Sequence, residues 1–357
     1  MRVLVAMSGG VDSSVAAALL AEEGHDVVGC TLQLWGGPSD SGCCSAADVD
    51  DARRVAQVVG IDHHVFNLSE RFEDRVVAPY VAAHQRGETP NPCVACNREI
   101  KFDALLSRAR RLGFDALATG HHARVVDGAD GRELRRGADS RKDQSYVLGF
   151  LDAAALSRVE LPVGDLTKSE VRSRASELGL RTAGKPDSQE VCFIPRGHRG
   201  AFLAERADLT PATVRDADTG AALGTVPAAQ LVTVGQRRGL GVGSDGLPRF
   251  AVDVDVAGAV VTVATREASA MTWLGLDAST LRWARAPRTR GEGLLVQTSA
   301  HGEAVPATLE SRDGLALGLV RPVRPVAAGQ LAVFYDTSDP DLVIGSATVE
   351  RRARPRT

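Results

Sequence analysis

Eight residues near the start constrain this chain more than any others: Met7-Ser8-Gly9-Gly10-Val11-Asp12-Ser13-Ser14, directly after an apolar run that begins at Val3. An apolar run that breaks at paired glycines into an Ala/Leu/Val-rich pattern of helical period predicts a strand, a tight loop and a helix N-terminus. Such a junction suits an anion. Glycines let the backbone come close, the first N–H groups of the helix have no partner inside it, and the helix dipole favours negative charge. The candidate phosphate-binding residues are therefore Ala6, Met7, Ser8, Gly9, Gly10, Val11, Asp12 and Ser13. No Gly-Lys-Ser/Thr follows, so this is not a Walker A loop, and it is not Gly-x-Gly-x-x-Gly. The competing reading is a plain strand–helix turn capped by Ser13.

Ser-Gly-Gly-Val-Asp-Ser resembles the pyrophosphate loop of the N-type ATP pyrophosphatases. That resemblance implies ATP cleaved to AMP and pyrophosphate, with Ser8, Ser13 and the Gly9–Gly10 backbone on phosphate oxygens and Asp12 helping to bind Mg2+. The next hundred residues fit such a domain. Apolar runs at Val3–Met7, Val27–Leu34, His64–Leu68 and Ala116–Thr119 alternate with helical patterns at 14–23, 46–59, 70–84 and 100–112. The expected class is α/β, a parallel sheet with helices on both faces, binding ligand at the carboxyl ends of the strands. Leu32 at one strand end could pack on an adenine ring or be ordinary core, and the Gly120 backbone at another could hold the base. His121 and His122 are adjacent, so a strand would point them apart; a polar loop contact is expected, not zinc.

Composition bounds the rest. The chain has 357 residues, 44% apolar and 24% charged, with a net charge of −3. It has no apolar run long enough to span a bilayer and opens directly on a strand, so a cytoplasmic enzyme without a signal peptide or membrane partner is expected. The turn signals Asp127-Gly128-Ala129-Asp130-Gly131 predict a hairpin over 125–136, and Thr167 with Glu170 forms a predicted capping box. From about residue 198 the texture changes to short β-branched runs at 230–234, 249–256, 259–264, 294–298, 307–310, 330–335 and 341–349. Three domains are expected: 1–197 catalytic, 198–270 a small central unit, and 271–357 a β-barrel. Only four lysines (Lys101, Lys142, Lys168, Lys185) stand against 38 arginines, a skew ascribed to genomic base composition.

The cysteines lie at 30, 43, 44, 93, 96 and 192. In a chain of this size without a secretory signal, they point to reduced thiols with catalytic or metal roles. Two segments stand out: Pro90-Asn91-Pro92-Cys93-Val94-Ala95-Cys96-Asn97 and Gly184-Lys185-Pro186-Asp187-Ser188-Gln189-Glu190-Val191-Cys192-Phe193. The prolines hold the first loop extended, and a helix starting near Asn97 would place Cys96 at its N-terminus, which favours thiolate. Arg98 and Lys101 would add to that. Cys30 and the Cys43-Cys44 pair are expected to be structural.

These two segments, the phosphate loop, Lys142-Asp143-Gln144-Ser145-Tyr146 and Val234–Gly241 together resemble the tRNA-specific 2-thiouridylase family, in order, from the first strand to about residue 265. The resemblance implies ATP-dependent replacement of the wobble uridine O2 by sulfur in tRNA for Lys, Glu and Gln. Cys192 would carry a persulfide from a cysteine desulfurase or sulfur-carrier protein, and Cys96 would attack it and close a disulfide. Asn91, Pro92 and Cys93 would line the target base, and Lys142, Asp143 and Gln144 would touch tRNA. Two departures stand out. Cys93 replaces an Asp of some members, so Cys93, Cys96 and Cys192 form a three-thiol set that could instead hold an iron–sulfur cluster. The C-terminal Arg-Tyr pair becomes Ser299-Ala300, leaving nearby arginines to meet tRNA. The rivals are another adenylate-forming enzyme, which would not need the thiols, and a zinc-binding Cys-x-x-Cys module.

Overall fold

The computed structural model describes residues 1–34, 45–187, 191–195, 197–242, 247–312 and 314–351. Trp35, the Cys43-Cys44 pair, Ser188–Glu190 and the basic tail after Arg351 lie outside the described residues; Arg351 itself pairs with Asp253 at 3.0 Å.

The chain begins β1 (Arg2–Ala6), α1 (Val11–Glu22), β2 (Asp26–Gln33), α2 (Ala46–Val59), β3 (Asp62–Asn67). In β1 the period-2 alternation sends Leu4 into one core and Val3 and Val5 into another, so both sheet faces are covered. Two long helices follow, each widened by a π-helical stretch: α3 (Ser69–Phe72) runs through Glu73–Val77 into α4 (Ala78–Gln85), and α5 (Pro92–Cys96) runs through Asn97–Leu105 into α6 (Leu106–Arg111). The second starts at Pro92, not near Asn97. Asn91 is extended, its Oδ1 accepts the N–H groups of Cys93 (3.0 Å) and Val94 (3.4 Å), and proline takes the first helical position. Cys96 therefore sits a full turn inside the helix, away from the end where the dipole acts.

After β4 (Ala116–Thr119) comes the expected hairpin, β5 (Ala123–Gly128) with β6 (Gly131–Arg136). Then come α7 (Ala153–Leu156), β7 (Val159–Glu160) and α8 (Lys168–Glu177), which carries the predicted Thr167/Glu170 capping box. The main sheet has the order β3-β2-β1-β4-β7, with every pairing parallel. That puts the β1 and β4 carboxyl ends side by side at the phosphate loop.

The central region has α9 (Arg199–Ala204), β8 (Ala212–Asp216), β9 (Ala222–Val226), β10 (Phe250–Asp255) and β11 (Val260–Ala264), in the order β10-β11-β8-β9. The expected strand at 230–234 is absent. Gln230 is buried and its amide ties Asp208 and Thr210, which leaves a short 3-10 turn, Ala229–Leu231. After α10 (Arg266–Ser269), six strands close a barrel: β12 (Met271–Trp283), β13 (Gly293–Gln297), β14 (Val305–Ser311), β15 (Leu315–Val323), β16 (Leu331–Tyr335) and β17 (Val343–Val349). The barrel docks on the catalytic region. Leu331, Val333, Tyr335 and Val343 join its core, Tyr146 Oη donates to Leu331 O at 2.8 Å, and Thr89 N–H donates to Ala328 O at 2.9 Å.

Candidate active site

The loop from Ser8 to Ser13 is built to receive an anion. Gly10 is the N-cap of α1 and no side chain caps that helix, so Ser13 lies inside the first turn and does not cap it. Ser13 Oγ instead accepts the Ser8 N–H (3.1 Å) and donates to Gly10 O (3.2 Å), bracing the loop from beneath. Gly9 has φ +72°, and a Cβ there would lie 2.4 Å from the Asp48 carbonyl. Gly120 abuts α1 so closely that its Cβ would meet Ser13 N at 2.4 Å. Both glycines are sterically required. Leu32 is buried in the sheet core beside Leu34 and Cys30.

Two lysines flank the loop. Lys168 Nζ touches both Asp12 carboxylate oxygens at 2.7 Å, and His122 Nε2 lies 3.1 Å from Asp12 Oδ1. Burial pushes the Asp12 carboxyl up, but His122 and Lys168 outweigh it and hold it below the ordinary value. Lys185 Nζ donates to Gly9 O (2.9 Å) and pairs with Asp48 (2.6 Å) and Asp51 (2.8 Å). Burial opposes its charge, and the two aspartates raise its pKa nonetheless. Lys168 also reaches Asp187 (2.9 Å), which Lys142 (2.8 Å) and Arg172 (2.7 Å) hold as well. Of these, Lys168, Lys185 and Asp187 were given no role in the sequence reading. Their signal was the lysine scarcity itself: where arginine serves everywhere else, a retained lysine marks a place for a compact, reorienting point charge.

The segment 142–144 faces inward more than expected. Asp143 is half-buried, accepting from Arg136 (2.9 Å), the Gly137 N–H (3.0 Å) and Ser145. Gln144 and His122 exchange two bonds, Gln144 Oε1 accepting the His122 N–H and the Gln144 N–H donating to His122 O, both at 2.8 Å. Lys142 is the exposed member of the three. His121 is buried against Thr119 (2.7 Å); burial first, then Lys101 and His122, push its pKa well down, so it is a neutral loop contact.

Cys96 is buried in the same hydrophobic cluster against which the half-buried Cys192 packs, whereas Cys93 is exposed. Arg98 is turned to Glu99 at 2.8 Å. Cys30 is fully buried, its thiol pushed up to about 12, which makes it inert. Among the described residues no group of three or more His, Cys, Asp or Glu side chains is placed to hold a metal ion. Cys96 and Cys192 thus share one apolar cluster while Cys93 stands outside it, and the Asp12 carboxylate is engaged by Lys168 and His122. At the barrel, Ser299 lines a cavity of about 730 Å3 with Thr233, His301, Arg321 and Arg324, so arginines do stand beside the substituted pair. Among the described residues no helix is long and apolar enough to cross a membrane.

Residues 1–196 match a family model described as the tRNA methyl transferase HUP domain, 200–265 the tRNA methyl transferase PRC-barrel domain, and 273–349 the aminomethyltransferase beta-barrel domain. The tRNA-specific 2-thiouridylase MnmA of Salinispora arenicola is 48% identical over 361 residues, spanning 98% of this chain and 99% of that protein. Those of Mycolicibacterium smegmatis (46% over 368 residues; 99% and 100%) and Rhodococcus opacus (45% over 369 residues; 100% and 100%) are similar from end to end.

Proposed function

The chain belongs to the tRNA-specific 2-thiouridylase family, and from that premise we propose that it transfers sulfur to C2 of the wobble uridine in tRNA for Lys, Glu and Gln. The observation that carries this is end-to-end identity to named 2-thiouridylases. Two methyltransferase labels among the domain matches do not redirect it. A methyl donor brings its own leaving group, so methyl transfer would give an uncapped phosphate loop and a thiol pair nothing to do.

ATP binds at the phosphate loop, its phosphates on Ser8, Ser13 and the N–H groups of Gly9, Gly10 and the first turn of α1. Lys168 and Lys185 are within reach of the same charge. Asp12 would help to hold Mg2+ beside the nucleotide, and the ion would offset phosphate charge there. Uracil O2 attacks the α-phosphorus; pyrophosphate leaves, the N3 proton goes to solvent, and O2 becomes part of an AMP leaving group. Cys192 carries a persulfide received from a cysteine desulfurase or sulfur-carrier protein. Its terminal sulfur bonds to C2, expelling AMP. The Cys96 thiolate then attacks Cys192 Sγ, releasing 2-thiouridine and leaving a Cys96–Cys192 disulfide. Sulfane sulfur gains the two electrons that the thiols lose, and an external thiol restores them. Asn91, Pro92 and Cys93 meet the splayed base, while Lys142 and Gln144 face the tRNA. The work divides among 1–197, which carries the chemistry, 198–270, which links, and 271–357, which contacts tRNA; the setting is cytoplasmic.

The test is incubation with ATP, Mg2+, a persulfide donor (a cysteine desulfurase with cysteine), a thiol reductant and unmodified tRNA, followed by nucleoside mass spectrometry. The wild type should yield 2-thiouridine. Cys96→Ser and Cys192→Ser should yield none with persulfide as donor while tRNA-dependent pyrophosphate release persists. 2-Thiouridine from either variant would overturn the two-cysteine relay, and pyrophosphate release by the wild type without any 2-thiouridine would return the assignment to an adenylate-forming enzyme of another kind.

A further inference from the structure

Asp187 stands five residues before Cys192 and touches no part of the phosphate loop, yet its carboxylate is held by three cations. One of them, Lys168, simultaneously grips Asp12 in the first turn of α1. A second, Lys142, belongs to the 142–144 segment, whose Gln144 pairs with the backbone of His122, and His122 returns to Asp12. The contacts close a ring: Asp12, Lys168, Asp187, Lys142, then through the chain to Gln144, His122 and back. The third cation, Arg172, holds the Ala183 and Lys185 carbonyls (2.7 and 2.9 Å) besides Asp187, fixing the stalk of the Cys192 segment. On the far side of Cys192, Phe193 is buried edge-on against Phe72 (5.5 Å) and Tyr80 (5.7 Å). Cys192 thus lies between an apolar anchor that cannot respond to charge and an ionic anchor that can.

We propose that Asp187 is a positioning residue that couples nucleotide at the phosphate loop to the Cys192 segment. The proposal rests on Cys192 being the sulfur-bearing thiol. Lys168 has two carboxylate partners, and polyphosphate arriving at α1 brings a third and stronger competitor for its ammonium. As Lys168 turns toward phosphate, Asp187 keeps Lys142 and Arg172 only, and the 183–187 stalk resettles. Sulfur delivery is thereby tied to a loaded ATP site. A general-base role is excluded, since three cations hold that carboxylate ionised and saturated.

The experiment is alkylation of Cys192 by iodoacetamide, followed by peptide mass spectrometry, with and without a non-hydrolysable ATP analogue. In the wild type the analogue should change the Cys192 labelling rate by about fivefold, the low end of inter-site coupling. Asp187→Asn should lose that response, and Asp187→Glu should restore it. In turnover, pyrophosphate released should equal 2-thiouridine formed in the wild type and exceed it several-fold in Asp187→Asn, a ratio that simple loss of folded protein would leave at one. A wild-type Cys192 indifferent to the analogue, or an Asp187→Asn response like the wild type's, overturns the coupling. If Cys192→Ser still makes 2-thiouridine, the sulfur-carrier assignment has failed instead.

Discussion

Lys168 and Asp12 pair so tightly that each governs the other's availability. Replacing Lys168 with alanine removes a charge from the face where phosphate negative charge develops, and pyrophosphate release should fall by about 100-fold. A stopped assay with labelled ATP measures it. Asp187 makes a pH prediction. Burial raises its carboxyl, but Lys142 and Lys168 outweigh this and bring it from 3.8 to about 2. A depressed folded-state pKa stabilises above the unfolded value, and that stabilisation fades as pH falls through the folded one. The melting-temperature gap between wild type and Asp187→Asn should therefore be full above about pH 4 and close as pH drops toward about 2. At this scale the phosphate loop was legible because glycines and serines in that order have few other uses. The roles of Lys168 and Lys185 were not, because pairing between residues as distant as Asp12 and Lys168 leaves no local pattern.

Among the elements, α8 presents Lys168 at its first position, so its cap is also part of the site. Thr167→Ala should cost about 1 kcal/mol of stability by denaturant unfolding, with KM for ATP raised as the first turn frays. The alternation of strands and helices gave β1, β2 and β4 because buried parallel strands read as apolar runs, and it found β3, at the sheet edge with no fully buried residue, from its Val65-Phe66 pair. The start of α5 was misjudged because two prolines look like loop, although one of them is the preferred first residue of a helix. The long strands β12 and β15 escaped because glycine, proline and charged residues interrupt them, which the register shifts along β12 tolerate.

For the molecule as a whole, the barrel is not an appendage. Its Tyr335 hydroxyl lies 3.1 Å from Ser145 Oγ, Arg136 stacks on the Tyr335 ring at 3.9 Å, and Gln330 donates to the Thr89 carbonyl beside the Pro90–Pro92 loop. The segments proposed to meet the base and the tRNA are thus seated on it. A chain ended at Ala270 would leave Tyr146 and Leu148 uncovered, and it should aggregate or elute as a broad oligomeric species in size-exclusion chromatography. A monodisperse, ATP-binding 1–270 fragment would show that the barrel serves RNA alone. Sequence texture foretold a terminal barrel but not this docking, because core residues shared between distant segments carry no period in either one.

The scarcity of lysine has a practical corollary. Of four side-chain amines in the chain, Lys168 and Lys185 contact the phosphate loop region and Lys142 shares Asp187 with Lys168. Protection of these three amines from an acylating reagent by nucleotide, against Lys101 as the internal reference, would report occupancy of the loop without a designed probe.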